Sequence, residues 1–201
     1  MFMHVGAKKI AAAGLLVAFS VIMLVLSSVI ESSSLFFIAA GSFCVGIAIR
    51  EWGATFGFGF LVSSTILNLF LATNKIYCFT FGAMGLYLWL SEMLWEKIAA
   101  VEAMSHRTLK LWIGKYVIFN LIYAPILIFA PKLLFTGKMN GLAAIILFLL
   151  GQVVFPVYDV AYRYFQGRIW GALRVRLFEK YKSVFIEKEI LKFLWKTNNN
   201  I

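Results

Sequence analysis

The chain alternates long apolar runs with short polar breaks. The first run covers residues 10–30 and stops at Glu31, Ser32, Ser33 and Ser34. A helix rises about 1.5 Å per residue, so about twenty apolar residues cross a hydrocarbon core of about 30 Å. This predicts a first membrane span. The second run, residues 35–49, is short; it starts inside the serine run or thins the bilayer locally. Arg50, Glu51 and Trp52 form an interfacial break. The third run covers 53–72 and ends at Thr73, Asn74 and Lys75. The fourth covers 76–95, with Glu92 and Glu96 on its last turns at the interface.

Residues 96–110 are the most polar internal stretch and predict an interfacial amphipathic connection. A fifth span follows over 111–130. Pro125 is placed to kink it and Pro131 to end it. Residues 132–138 read as a turn. The sixth span covers 139–162, with Pro156 interrupting it near its end. The expected fold is therefore all-α. It is a polytopic membrane bundle of about six transmembrane helices over residues 1–165, with a basic amphipathic cytoplasmic tail over 166–201.

Composition supports lipid as the solvent. Of the 201 residues, 62% are hydrophobic and only 14% are Asp, Glu, Lys or Arg. A soluble domain is usually about 25% charged. Lys8 and Lys9 before the first run mimic a signal peptide, but the run is long enough to span and more spans follow, which favours a retained helix. Cys44 and Cys78 sit in apolar runs without a CxxC spacing and read as apolar filling.

The net charge of +10 comes from 19 Lys and Arg against 9 Asp and Glu. Placing both termini in the cytoplasm puts fifteen of these cations inside. They are Lys8, Lys9, Arg50, Lys97, Arg107 and Lys110, with the rest in the tail from Arg163 to Lys196. Only Lys75, Lys132 and Lys138 fall outside. Lys115, one turn into the fifth span, is expected to snorkel back to the inner face. This is the positive-inside bias of a multi-pass protein of a cytoplasmic membrane. It accounts for the charge without nucleic acid. The tail is suited to lie on anionic lipid, anchored by rings such as Trp170, Phe178 and Trp195.

Chemistry along the spans is sparse. Ala11, Gly14 and Ala18 make a small-residue face on the first helix, suited to close packing within the chain or to a partner. Gly53, Gly57, Gly59, Gly82 and Gly85 are explained by close helix packing, since no Gly-Lys-Ser or Gly-Lys-Thr follows. Asn68, Asn120 and Gln152 are amides in apolar runs, which must face protein or a cavity. Asn120 and Gln152 reach similar depths, where they are able to bond each other. The outer connections gather Glu31, Asn74, Lys75, Tyr77, Tyr123 and Asn140 as candidate ligand contacts together with Asn68 and Gln152. Asp159 and Arg163 have the spacing of an i,i+4 pair. Nothing indicates a cofactor, and no metal motif is present. Glu92, Glu96 and His106 are the residues a catalytic reading would use, but no motif fixes their geometry.

The six-run plan, the pair Lys8–Lys9 and the stretch AAAGLLVAF from Ala11 to Phe19 resemble the substrate-binding S component of bacterial energy-coupling factor vitamin transporters. The stretches NKIYCFTFGAMGLYLWLSEMLWEKI, from Asn74, and FPVYDVAYRYF, from Phe155, are similar to a group of S-component-like bacterial membrane proteins. The resemblance implies a coupling transmembrane subunit and paired ATPases as partners. It implies a small-molecule ligand held toward the outside. It also implies docking through AxxxA-spaced residues, matched here by Gly14 and Ala18 with glycine replacing one alanine. Two other functions stay open: a non-transporting membrane scaffold or partner-binding protein, and a membrane enzyme acting on a lipid-linked substrate.

Overall fold

In hydrocarbon a chain must satisfy its own backbone hydrogen bonds, and each apolar run does so as a helix. A computed structural model describes residues 3–72, 74–101, 107–129 and 141–172. In order these form α1 (Met3–Val29), a single 3-10 turn (Glu31–Ser33), α2 (Ser34–Trp52), α3 (Ala54–Leu71), α4 (Lys75–Val101), α5 (Arg107–Phe129) and α6 (Gly141–Tyr164). A π-helical turn, Phe165–Trp170, follows α6. No strand occurs among the described residues. Among the described residues, five helical stretches are long and apolar enough to cross a membrane: Lys9–Val29, Glu31–Trp52, Ala54–Leu71, Thr108–Ile128 and Gly141–Trp170. The chain is thus a multi-pass, all-α membrane protein.

The backbone divides into two compact units, Met1–Asp159 and Val160–Ile201. The second is described only through the end of α6 and the π turn. The remainder of the expected basic tail lies outside the described residues.

Within the first unit, α2 is the central helix. Residues 41–49 are buried without a break. A helix can bury its whole circumference only if its neighbours come close, and small residues allow that. Gly41 lies against Leu24, Met23 and the Ser20 carbonyl of α1. A side chain at Gly57 of α3 would strike Ile49, and one at Gly85 of α4 would strike Leu61 and Val45. The joint between α2 and α3 is Gly53 alone, at φ +94°, a conformation that disfavours any residue with a Cβ. Gly57, Gly82 and Gly85 therefore pack closely, as expected, whereas Gly59 and Gly53 have nothing within 4 Å among the described residues, and Gly53 serves the turn instead of packing.

The outward surfaces are apolar instead of charged. Leu15 and Ile22 on α1, Val117 and Leu121 on α5, and Val153 and Val157 on α6 are all exposed. That inversion of the soluble pattern is what lipid requires.

Three boundaries differ from the expectation. α4 continues beyond residue 95 to Val101, and α5 begins at Arg107, so most of 96–110 belongs to these two helices. Their hydrogen-bonded ladders outlast the apolar runs because polar residues continue a helix readily at an interface. Pro156 does not interrupt α6, which continues to Tyr164. Pro125 likewise sits inside α5. Membrane helices tolerate proline because other groups satisfy the freed carbonyl. Pro131 and the 132–138 turn lie outside the described residues.

Candidate functional site

One chain of polar contacts in the first unit runs along a stripe of α6. It lies between Leu147 and Asp159, facing α2, α4 and α5. Here α6 shows no extended close backbone approach, and long side chains span the gap. At one end the Tyr123 hydroxyl donates to the Leu147 carbonyl at 2.7 Å. The Tyr123 ring lies over Gly151, where a Cβ would collide with it. One residue further, Gln152 Nε2 donates to Asn120 Oδ1 at 2.7 Å, and Asn120 Nδ2 faces Gln152 Oε1 at 3.4 Å. The two amides thus pair across α5 and α6, as their similar depth suggested. Phe155 then stacks on Phe119, centroids 4.5 Å apart, and meets Tyr116 and Tyr87 edge-on at 4.8 and 5.3 Å.

The stripe ends in charge. Lys115 Nζ donates to Asp159 Oδ1 at 2.6 Å, and the Tyr87 hydroxyl donates to the same oxygen at 2.8 Å. Asp159 is 0% exposed and the Lys115 side chain only 12%. Beside them the Tyr158 and Ser42 hydroxyls share a 2.8 Å hydrogen bond. Lys115 was expected to snorkel toward water; instead it turns inward. A buried carboxylate at hydrogen-bonding distance outweighs hydration at the membrane edge, because charge attraction is strong where the dielectric is low. Lys115, Tyr87, Tyr158 and Ser42 went unrecognised as one cluster. The available signal was the aromatic stripe Trp112, Tyr116, Phe119 and Tyr123 at helical spacing beside Lys115.

A second ion pair braces α2 to α4. Arg50 Nε lies 3.1 Å from each Glu92 carboxylate oxygen, and its Nη2 donates to Oε1 at 2.6 Å. Nearby, Trp89 Nε1 donates to the Ala54 carbonyl at 2.9 Å. Glu92, considered as a catalytic residue, is thus held by a guanidinium. Glu96 is exposed, and His106 lies outside the described residues. No group of three metal-ligating side chains occurs among the described residues.

The outer candidates separate by role. Glu31 is exposed on its 3-10 turn. Asn74 Oδ1 accepts from the Ile76 amide at 3.0 Å and so caps α4. Lys75 Nζ donates to the Leu69 and Ala72 carbonyls and closes the end of α3. Tyr77 packs against the apolar core. Asn68 is completely buried, and neither polar atom of its amide has a partner. Asn140 lies outside the described residues. Tyr123 and Gln152 belong to the α6 stripe and are thereby separated from Asn74 and Lys75.

The small-residue face of α1 is open. Ala11, Gly14 and Ala18 are all exposed, and among the described residues nothing outside the helix's own neighbouring backbone lies within 4 Å of a Cβ built on Gly14. The opposite face, with Ser20, Leu24 and Ser27, is the one buried in the bundle.

Fold and surface together define a polytopic all-α membrane protein with a buried ion pair and a small-residue helix face that is exposed among the described residues. No protein-family model, curated protein or solved structure matches the chain.

Proposed function

We propose that this protein is the substrate-capture subunit of an energy-coupled importer for a small molecule. The observation that carries the proposal is the open face of Ala11, Gly14 and Ala18. In lipid there is no hydrophobic drive between helices, so association depends on close van der Waals packing, and small residues permit it. This face packs against nothing in its own chain among the described residues and suits a helix of another subunit. Partner ATPases would supply the energy, and a coupling transmembrane subunit would contact α1. Both termini would lie in the cytoplasm of a bacterial membrane, with the basic tail on anionic lipid.

The test is gentle purification followed by mass spectrometry of bound proteins and small molecules. Paired ATPases and a membrane coupling subunit should accompany the chain. Gly14→Leu with Ala18→Leu should abolish that association while ligand affinity stays within about twofold, because the substituted face points away from the bundle. Unimpaired assembly in the double variant would remove the docking face. A stable complex without ATPases would point instead to a non-transporting partner-binding protein.

A further inference from the structure

Asn68 lies on the interior stripe of α3 that also holds Gly57, Leu61 and Ser64. Its side chain is 0% exposed, and both its amide nitrogen and its amide oxygen lack a hydrogen-bond partner. An unbonded amide in an apolar interior is costly, and native proteins rarely keep one unless something supplies the bonds. The nearby polar groups are committed elsewhere. The Ser64 hydroxyl donates to the Leu61 carbonyl at 3.1 Å. The Cys78 thiol points at the backbone carbonyl of Asn68, 3.2 Å away, and not at its side chain. Lys75 closes the backbone end of α3.

We propose that Asn68 is the recognition group of a ligand site enclosed by the joined ends of α3 and α4. Its ligand is a small uncharged molecule presenting adjacent N–H and C=O groups, as in a lactam, a ureide or a primary amide. A carboxamide offers an acceptor oxygen and donor hydrogens side by side, so such an edge satisfies both at once. The core at these helix ends is apolar, with Ile38, Ala72 and Phe81 all buried in one cluster. A charged ligand would enter it without a counter-ion. For its biological purpose the proposal rests on the substrate-capture reading; its chemistry rests on the unpartnered amide.

The test uses the full chain in lipid nanodiscs with two probes, 2-piperidone and N-methyl-2-piperidone, which differ in the N–H donor. Saturation-transfer NMR should show 2-piperidone bound at least about tenfold more tightly, since the methylated lactam leaves Asn68 Oδ1 unpaired. Asn68→Leu should erase the difference and raise the thermal midpoint of the empty protein, as should Asn68→Ala for the probe preference. Equal binding of the two lactams by the wild type, or no binding of either, would overturn the site. So would a preference that survives in both variants. The importer reading is scored separately: lactam discrimination without associated ATPases would leave the site standing and remove that function. Associated ATPases with no discrimination would do the reverse.

Discussion

At residue scale the Lys115–Asp159 pair dominates. Removing one partner of a buried ion pair typically costs about 3–5 kcal/mol. Removing both need not, because apolar replacements of similar volume often match a buried ion pair. Lys115→Met alone and Asp159→Leu alone should therefore each destabilise the protein strongly. The double variant should recover most of the loss, as read by reversible unfolding in detergent micelles. Additive losses in the double variant would mean that the two residues do not act as a pair. The Asn120–Gln152 bond is a weaker tie. Gln152→Leu should cost about 0.6 kcal/mol and no more than about 1.7 kcal/mol in the same assay, the average and the maximum measured for hydrogen bonds between membrane helices.

The two contacts also differed in how legible they were. Few side chains in an apolar run offer an amide a partner on a neighbouring helix, so depth matched Asn120 with Gln152, although Asn120 Nδ2 also donates to the Tyr116 carbonyl at 2.9 Å. Lys115 and Asp159 lie near the ends of their expected apolar spans, where snorkelling and an i,i+4 neighbour explain them equally well. Only the rotation of α5 and α6 about their axes turns Lys115 toward Asp159.

At the scale of elements, glycines with identical sequence roles separate by what they face. Gly57 meets the backbone of Ile49, whereas Gly59, two residues on, meets nothing. Gly57→Val should push α3 away from α2 and cost about 1–3 kcal/mol through overpacking. Gly59→Val should change stability by less than about 0.5 kcal/mol, as exposed positions usually do. Thermal unfolding of the two variants side by side decides this. The apolar runs told of both helices but not of their orientation. In lipid the outward residues are as apolar as the inward ones, so hydrophobic periodicity does not point to the core. That is why α2, the shortest expected span, was not recognisable as the central helix. α4 showed the opposite limit: its polar last turns hid the fact that the helix runs on to Val101.

For the whole molecule, the organising quantity is where the cations lie. Fifteen of 19 Lys and Arg lie in segments that six crossings would put together on the side of both termini. Reporter fusions at residues 1 and 201 should both be active on the cytoplasmic side, and a reporter inserted after Ser33 on the other. Tags mapping to opposite faces would require an odd number of crossings. α4 is the helix to re-examine in that case, since it is absent from the five stretches apolar enough to span.

Helix-forming apolar runs, their approximate ends and the charge bias are local properties of the chain. A backbone in hydrocarbon has few alternatives to the helix, and for these the amino-acid order was sufficient. Which face of each helix turns inward was decided only in three dimensions. The joining of Asp159 to Lys115, the isolation of the Asn68 amide and the openness of Ala11, Gly14 and Ala18 all depend on it. These features are set by helix rotation and spacing, which arise from packing between segments far apart in the chain.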